Sequence, residues 1–398
     1  MTVVADAQPP LRLFFLADFD PNPNSGAAGT ELQLSAELRR QGHAVDTLWG
    51  DRLPHRVRHW NLHHLVEQPR AYWQAIQRRQ AEGPLDVAHV NQPAGWLAAR
   101  ELRRRRSPVL LAHRSHGFEA RIGDVLQPWR RRFAEDRRPP ARRLASALIG
   151  PALRRHHRAI VRWADLHVVS CGECADYLAT RGVPRERIHV SPQVPIQTYL
   201  DAPTAPWSAA RSRRLLFVGQ HVFFKAPMML AEALGELLAS DPSLTATWVC
   251  EAASHDAVRA RLVPAVADRV RLRDWMPQPE LMTVYDEHGI FLFPSFTEGF
   301  GKVFLEAMAR GLCVVATDQG GARDVIRSGV DGVTVPVGDV AALVRETRAL
   351  IAAGDEACRR MSAAARSTAA GYTWTRVAAS LADFYREAIA RGRREQAA

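Results

Sequence analysis

Short apolar runs alternate with amphipathic stretches along most of the chain, and this alternation predicts its secondary structure. In the amphipathic stretches apolar residues recur at three- and four-residue spacing, as in TELQLSAELRRQG (30–42), where Gly42 ends the predicted helix. Strands that alternate with helices predict parallel sheets wound with helices. The predicted strands are 11–18, 44–50, 86–91, 108–116, 165–170 and 187–192, followed by 213–219, 245–251, 269–275, 289–295, 313–317 and 332–337.

The chain has 398 residues, which is too long for one ordinary core and fits two domains of about 150–200 residues each. The stretch PIQTYLDAPTAPWSAARSRR (195–214) is rich in Pro, Ala and Ser, and it interrupts the alternation as a linker does. We therefore predict an α/β protein with two doubly wound domains of similar size. The predicted limits are 1–197 for the first domain, 198–212 for the linker, 213–375 for the second domain and 376–398 for a final helix.

The last helical pattern, over roughly 374–392, carries an apolar face at the end of the chain. The second domain has a full set of strands and helices without it. We therefore predict that this helix returns to pack on the first domain. Its apolar face consists of Trp374, Val377, Leu381, Phe384 and Ile389.

The composition is typical of a globular protein rather than a disordered or membrane-spanning one. Hydrophobic residues make up 47% of the chain, and no apolar run reaches the roughly 18–20 residues that a membrane span needs. The N-terminal stretch lacks a basic region, and Asp18 and Asp20 follow its apolar run, which predicts a first strand instead of a signal peptide. Together with an odd number of cysteines, five, these features predict a reducing, cytoplasmic location.

Cys171 and Cys174 form a lone CGEC motif. A redox or zinc site is one interpretation of such a pair. However, two ligands cannot close a tetrahedral zinc site, and no second cysteine pair stands at metal-ligand spacing. We therefore interpret the motif as the start of a helix.

The formal net charge of +11 is concentrated in one block of the chain. Residues 100–162, called here the Arg-rich block, contain 18 Arg against five acidic residues, so the remainder of the chain is slightly acidic. Such a block predicts a basic face with a specific partner. Several of its arginines neighbour large apolar side chains, namely Trp129, Phe133, Ile160 and Trp163.

Three interpretations of the Arg-rich block remain open. Arginines mixed with large apolar residues are suited to an anionic membrane surface, which is the interpretation we favour. A solvated Arg-rich face from a composition-biased genome is the second. A nucleic-acid-binding surface is the third, and it is disfavoured because few aromatic residues lie between the arginines and no nucleic-acid motif surrounds them.

The stretch FPSFTEGFGKVFLEAMARG (293–311) combines a buried strand, a loop with two glycines and a helix. Gly299 and Gly301 let the backbone approach a ligand closely, and the helix N-terminus presents unpaired N–H groups that suit a phosphate. Glu298 in the loop and Glu306 in the helix can accept hydrogen bonds from sugar hydroxyls. The structural alternative is that Glu298 caps the helix and Glu306 is a surface residue, although apolar neighbours flank Glu306 on both sides.

This stretch resembles the corresponding motif of the retaining nucleotide-sugar glycosyltransferases of family 4, the glycosyl transferases group 1. The resemblance covers most of the chain and is strongest from about 213 to 340. It implies the GT-B fold, in which two Rossmann-like domains face each other across a cleft and the C-terminal helix returns to the N-terminal domain. Other stretches in the family's order are NSGAAGTE (24–31), RSHGFE (114–119), ADLHVVSCGECADYLATRGVPRERIHVSP (164–192), LLFVGQHVFFKAPMMLAEAL (215–234) and DWMPQPELMTVYDEHGIFLFPS (274–295).

The resemblance implies catalytic roles for Glu298, His116 and Lys225. Glu298 and His116 would contact the transferred sugar, and Lys225 would stabilise the negative charge that grows on the leaving diphosphate. Glu306 would bind the ribose hydroxyls, while glycine loops on both sides of the cleft approach the sugar and the phosphates. The full donor-binding set is Glu306, Gly299, Phe300, Gly301, Lys302, Gly219, Gln220, Gly26 and Gly29.

The sequence departs from the family pattern at three places. Gln220 stands where the family has an arginine, so Lys225 is the cation that remains there, and Lys302 is a candidate to compensate. PQVP (192–195) replaces PNGV, and Asp324 replaces a glutamate. The loss of the arginine raises the alternative of a weak or inactive enzyme.

The resemblance implies a retaining, metal-independent glycosyltransferase of the hexosyltransferase type, which moves a sugar from a nucleotide-diphosphate sugar to an acceptor hydroxyl. No cofactor is expected besides the donor, because the resemblance implies that the leaving diphosphate itself takes the acceptor's proton. The expected acceptor is a cell-envelope, lipid-linked or exopolysaccharide glycan at the inner face of the plasma membrane. The alternatives are a GT-B nucleotide-sugar epimerase, a phosphorylase, or a sugar-nucleotide-binding protein with weakened catalysis.

Overall fold

The computed structural model describes residues 9–23, 25–57, 62–117, 119–133 and 140–397. Within these residues no helix has the length and apolar character that crossing a bilayer requires. Some residues of the predicted motifs lie outside the described residues, namely Asn24 of the first glycine loop, Phe118 of RSHGFE and residues 134–139 of the Arg-rich block.

The first sheet has six parallel strands in the order β2-β1-β3-β4-β5-β6. Its central strands are buried on both faces, as expected for a parallel sheet covered by helices. The order reverses between β1 and β3, which opens a crevice at the carboxyl ends of these strands. The strands are β1 (Arg12–Leu16), β2 (Ala44–Leu48), β3 (Val87–Asn91), β4 (Leu110–Arg114), β5 (Leu166–Val169) and β6 (Ile188–Val190).

The second sheet also has six parallel strands, in the order β12-β11-β10-β7-β8-β9. Here the order reverses between β7 and β10. All twelve strands predicted from the hydrophobic pattern are present, and the doubly wound α/β fold is confirmed. The strands are β7 (Arg214–Val218), β8 (Thr245–Val249), β9 (Val270–Arg273), β10 (Ile290–Phe293), β11 (Cys313–Thr317) and β12 (Val333–Val335).

Helices connect the strands and cover both sheets. Helix α1 follows β1, and the chain turns at Gly42, whose φ of +87° favours glycine. The helices of the first domain are α1 (Gly26–Arg40), α2 (Gln68–Glu82), α3 (Trp96–Arg104), α4 (Glu119–Arg132), α5 (Pro140–Trp163) and α6 (Gly172–Ala179). The later helices are α7 (Gln197–Asp201), α8 (Ala209–Ser212), α9 (Pro227–Ser240), α10 (His255–Arg259), α11 (Pro264–Ala267), α12 (Gln278–Glu287), α13 (Lys302–Ala309), α14 (Gly320–Val325), α15 (Val340–Ala352), α16 (Gly354–Ala370) and α17 (Trp374–Ala397).

The final helix α17 packs on the first sheet and on α1, as the sequence predicts. Val377, Leu381 and Tyr385 are buried in the same hydrophobic cluster as residues of β1, β3 and β5. The Tyr385 hydroxyl and Nδ1 of His89 in β3 share a hydrogen bond at 2.6 Å. This contact adds a polar anchor to the predicted apolar face.

The segment predicted as a linker is fixed to the second domain rather than extended between the domains. It contains the short helices α7 and α8, and Tyr199 and Arg211 within it are buried. The buried guanidinium of Arg310 donates to the carbonyl oxygens of Tyr199 and Ala202 at 3.1 and 2.9 Å. The prediction of a linker rested on the Pro, Ala and Ser content of the segment, which does not reveal these buried contacts. The domain limits themselves stay predictions.

Helix α4 belongs to the first domain but packs on the second. The Trp129 ring stacks on Phe296 with 4.9 Å between centroids, and Phe133 lies 5.6 Å from the same ring. Ile160 is fully buried in the first-domain core, and Trp163 packs against that core. The expectation that these four side chains lie on a membrane surface is therefore wrong, because they are used in packing.

Replacing Leu381 with alanine tests the role of α17 in the first-domain core. Leu381 is fully buried, so Leu381→Ala should lower the free energy of unfolding by about 2–5 kcal/mol. Urea denaturation followed by tryptophan fluorescence measures the change. Glu387→Ala, on the exposed side of the same helix, is the control and should change stability by less than about 0.5 kcal/mol. Equal stability of the two variants would contradict the packing described here.

Candidate active site

Lys225 and Glu298 form an ion pair beyond the carboxyl ends of β7 and β10, where the strand order of the second sheet reverses. Lys225 Nζ lies 2.5 Å from Glu298 Oε1, and Ser295 Oγ donates to the same oxygen at 2.8 Å. Gly219 lies beside the lysine, since a Cβ at this position would come within 3.7 Å of Lys225 Cδ and 2.9 Å of the Phe217 ring. The structure thus brings together Lys225, Glu298 and Gly219 of the predicted site.

Glu306 lies on α13 with its carboxylate almost fully buried. Its Oε2 accepts a hydrogen bond from the Tyr285 hydroxyl at 3.5 Å, and its Oε1 lies 3.5 Å from Lys302 Nζ. The alternative in which Glu306 is a surface residue is therefore wrong. Helix α13 begins after Gly301, which has a φ of +89° and makes no side-chain cap, so the alternative in which Glu298 caps this helix is wrong as well.

The two domains touch at backbone level where Gly299 meets His116 and Gly117. A Cβ at Gly299 would lie 1.6 Å from the His116 carbonyl oxygen and 2.9 Å from Gly117 Cα, so this position requires glycine. The Phe300 side chain packs into the second-domain core against Phe304, with 5.6 Å between ring centroids. Its side chain is therefore structural, and its backbone remains as the group that could contact a donor.

A buried carboxylate, Glu31, organises the first-domain side of the cleft. Its Oε1 lies 3.1 Å from Arg114 Nε and 3.2 Å from His116 Nε2, and its Oε2 lies 3.1 Å from His89 Nε2. Burial alone would raise the pKa of Glu31. Its interactions with three neighbours outweigh burial and hold the pKa well below its usual value, namely those with His89, His116 and Arg114. Glu31 is therefore ionised and fixes three side chains from β3, β4 and the end of β4.

One ring nitrogen of His116 has no hydrogen-bond partner among the described residues. Burial lowers its pKa, and the charge of Arg114 lowers it further. Nε2 lies 3.0 Å from Asn91 Oδ1 and 3.2 Å from Glu31 Oε1, so it carries the proton. Nδ1 makes no hydrogen bond to any described residue, and it can therefore accept one from a hydroxyl group.

Gly26 and Gly29 lie at the start of α1, next to the loop that follows β1. Ser25 caps the helix by accepting a hydrogen bond from the Ala28 amide at 3.4 Å. A Cβ at Gly29 would lie 2.5 Å from the Pro23 carbonyl oxygen, whereas one at Gly26 would meet no atom within 4 Å. Gly29 therefore permits the loop to fold against the helix, and Gly26 leaves open space beside it.

Arg121 is a buried cation near the site that the motifs did not indicate. Its Nη1 donates to Thr297 Oγ1 at 3.2 Å and to the Glu298 carbonyl at 3.5 Å, and its Nη2 pairs with Glu173 at 2.6 Å. Gln220 is exposed, and Lys302 Nζ lies 3.5 Å from Glu306 Oε1, so the compensating role of Lys302 stays a prediction. Arg121 therefore ties α4 of the first domain to the loop that carries Glu298.

The N-terminus of α6 makes a second bridge between the domains. The Gly172 amide donates to Asp324 Oδ2 at 2.6 Å, and the Gly320 amide donates to Glu173 Oε2 at 2.6 Å. The carboxylate of Asp324 thus lies against the N-terminus of α6. Cys171 precedes this helix and is buried with Cys174, in agreement with the helix-start interpretation of the CGEC motif.

Substitution of Glu31 tests the buried network of the first domain. Glu31→Gln removes the charge that compensates Arg114, so we expect the free energy of unfolding to fall by about 3–5 kcal/mol in urea denaturation. Glu37→Gln is the matched control on the same helix, because its partner Arg40 is mostly exposed, and it should cost less than about 1 kcal/mol. Similar losses in both variants would show that the network contributes no more than a surface pair.

Comparison with known proteins agrees with this geometry. A family profile described as glycosyl transferases group 1 matches residues 212–353. A D-inositol 3-phosphate glycosyltransferase of Thermobispora bispora is 30% identical over 334 residues, which cover 78% of this chain and 72% of the relative. A protein of the same name from Streptomyces bingchenggensis is 29% identical over 392 residues, which cover 93% of this chain and 75% of that relative.

Solved structures of low sequence identity share the fold over nearly the whole chain. Sucrose-phosphate synthase from Thermosynechococcus elongatus superposes with a TM-score of 0.72 at 19% identity, covering 96% of this chain and 100% of that chain. Anabaena HepE in complex with UDP and glucose gives a TM-score of 0.65 at 16% identity, with coverages of 94% and 98%. Together with the two facing sheets and the returning helix, these similarities show that the chain belongs to the group 1 glycosyltransferases of the GT-B fold.

Proposed function

We propose that this glycosyltransferase moves a sugar from a nucleotide-diphosphate sugar to an acceptor hydroxyl with retention at the anomeric carbon. The observation that carries the proposal is the buried Lys225–Glu298 pair, which faces His116 across a backbone contact between the domains. A cation, a carboxylate and a neutral imidazole at one point of the cleft suit a substrate with phosphates at one end and sugar hydroxyls at the other.

Glu306 is the proposed ribose-binding residue. Its buried carboxylate can accept hydrogen bonds from two vicinal hydroxyls, and the contacts with Tyr285 and Lys302 hold it in one orientation. Glu306 and Glu298 lie on the same strand–loop–helix unit, so a single ligand can reach both. The amides of Gly299, Phe300 and Gly301 and the N-terminus of α13 then lie beside the diphosphate.

Lys225 is the proposed electrostatic catalyst. As the bond between sugar and diphosphate breaks, negative charge grows on the phosphate oxygens, and a positioned ammonium in a partly desolvated site stabilises that charge. His116 is proposed to accept a hydrogen bond from a donor-sugar hydroxyl through Nδ1, since its Nε2 is held by Asn91 and Glu31. The leaving diphosphate takes the acceptor's proton, so these roles need no metal ion.

A second candidate function is a sugar-nucleotide-binding protein with slow transfer. The observation that favours it is Gln220, whose exposed side chain stands where the family has an arginine and carries no charge to offset the diphosphate. A thermal-shift panel of UDP-, GDP- and ADP-sugars tests donor binding for both candidates, since a ligand at 100 times its Kd adds about 2.7 kcal/mol of stability. Donor turnover with the ligand that binds then separates transfer from binding alone.

The acceptor is proposed to be an anionic, lipid-linked or cell-envelope glycan, with the protein held on the cytoplasmic face of the membrane. A basic groove of about 1380 Å³ lies between α4, α5 and α6, and Asp124 is the single acidic residue among the described residues that line it. The Asp124 carboxylate pairs with Arg181 at 3.3 Å. The other six arginines of the lining leave the groove with a strong positive charge. The arginines of the groove are Arg130, Arg131, Arg154, Arg158, Arg162, Arg181 and Arg187.

Glu306→Ala and Lys225→Ala distinguish donor binding from catalysis. We expect Glu306→Ala to weaken nucleotide-sugar binding by about 1.5–3 kcal/mol, or roughly 10- to 150-fold, in calorimetric titrations. Lys225→Ala should chiefly lower kcat, because the charge that it stabilises grows in the transition state. Glu232→Ala, at an exposed position of α9, is the control and should leave both parameters unchanged. Normal binding and normal kcat in the first two variants would refute the site assignment.

Vesicle sedimentation tests the membrane proposal. Since each arginine near an anionic surface contributes about 1 kcal/mol, replacing Arg131, Arg154 and Arg158 together with glutamine should weaken binding to anionic vesicles about 100-fold. Binding to neutral vesicles should be absent in all variants. The control removes the same charge from the second domain by replacing the exposed Arg345, Arg359 and Arg360. No binding of the unmodified protein to anionic vesicles at physiological salt would leave the Arg-rich block as a solvated face.

A further inference from the structure

Three metal-ligating side chains converge at the carboxyl end of β1, apart from the donor-binding residues. Asp18 follows β1 by two positions, while His55 and His63 come from the connection between β2 and α2. One ligand atom from each of the three residues lies within 4.8 Å of the others. From this convergence we infer that Asp18, His55 and His63 form a Zn²⁺ site, which goes beyond the proposed transfer reaction.

The two distances that involve Asp18 are close to those between neighbouring ligands of a tetrahedral zinc site. Asp18 Oδ2 lies 2.9 Å from His63 Nε2, and Asp18 Oδ1 lies 3.2 Å from His55 Nε2. Zinc bonds of about 2.0–2.1 Å at tetrahedral angles separate neighbouring ligand atoms by about 3.3 Å. The imidazole rings of His55 and His63 stack with 4.4 Å between centroids, so both Nε2 atoms face the same carboxylate.

The groups behind the ligands also fit a metal site. His63 Nδ1 lies 2.9 Å from Glu67 Oε2, and the backbone amides of Arg56 and Val57 each donate to the Glu67 carboxylate at 3.0 Å. A carboxylate that holds the outer nitrogen of a ligating histidine is the usual support of a zinc ligand. It fixes the ring so that Nε2 is directed at the ion.

Asp18 provides a second, independent indication of a ligand. Its side chain is 1% exposed, and Oδ1 makes no hydrogen bond of good geometry to any described residue, although His55 Nε2 lies 3.2 Å away. A buried carboxylate oxygen without a donor is costly unless a cation compensates it. Two imidazoles and one carboxylate suit zinc, whereas Mg²⁺ and Ca²⁺ prefer ligand sets made of oxygen atoms.

Bound zinc would cross-link the β2–α2 connection to the end of β1. His63 lies in a π-helical turn, His63–Glu67, that leads directly into α2. Phe19, the neighbour of Asp18, contacts the His116 ring at 6.4 Å between centroids, so the cross-link lies next to the cleft. The ion would fix the first-domain wall of the cleft, on which His116 lies, and its ligands all come from the first domain.

Metal titration of the chelator-treated full chain tests this site. We expect one equivalent of Zn²⁺ by calorimetry, a rise in the unfolding temperature, and the visible absorption of four-coordinate Co²⁺ when cobalt replaces zinc. His55→Gln should weaken zinc binding at least 100-fold, and its half-exposed position means that the variant should still fold. Glu67→Gln leaves the ligands intact and should weaken binding about 10- to 100-fold.

His255→Gln is the matched control, because His255 lies in the second domain, at the start of α10. This substitution should leave the zinc affinity unchanged. Absence of stoichiometric zinc binding would overturn the inference and leave a hydrogen-bonded cluster of Asp18, His63 and Glu67. Equal zinc affinity of His55→Gln and the unmodified chain would overturn it as well. The result is separable from the proposed function, because zinc is titrated without a nucleotide sugar and donor thermal shifts are measured on the chelator-treated chain.

Discussion

The structure of the first domain depends on compensating one buried negative charge. Glu31 has no contact with solvent, so its carboxylate must be stabilised by groups from elsewhere in the fold. Arg114 and His116 come from the end of β4, and His89 comes from β3, with Tyr385 of the last helix bonded to His89 in turn. One charge therefore fixes the relative positions of a helix, two strands and the end of the chain, and with them the orientation of His116.

Three contacts between the domains hold the cleft together. Each joins a group of the first domain to a group of the second. Gly299 touches the His116 carbonyl, Arg121 bonds the loop that carries Glu298, and Asp324 accepts from the start of α6. Because these contacts surround the Lys225–Glu298 pair, the separation of the domains and the position of the catalytic groups are coupled. An open form of the protein would have to break them together.

Much of the fold could be predicted because its signals are local. Twelve apolar runs, the turn at Gly42 and the apolar face of the last helix each follow from neighbouring residues. The Glu298–Glu306 motif was recognisable for the same reason. The Glu31 network and Arg121 could not be predicted, because their partners lie 83 and 176 residues away and only the folded sheets bring them together. The role of Trp129 was missed because packing between domains leaves no periodicity in the sequence.

The position of α17 makes the first domain discontinuous along the chain. Its core lacks Leu381 and Tyr385 until residues beyond the whole second domain have been added. The second domain, from β7 to α16, is therefore contiguous along the chain and can fold first during synthesis. One face of the N-terminal sheet remains partly uncovered until α17 has been made. The segment made first is thus the one completed last, and part of its apolar surface stays uncovered until the end of synthesis.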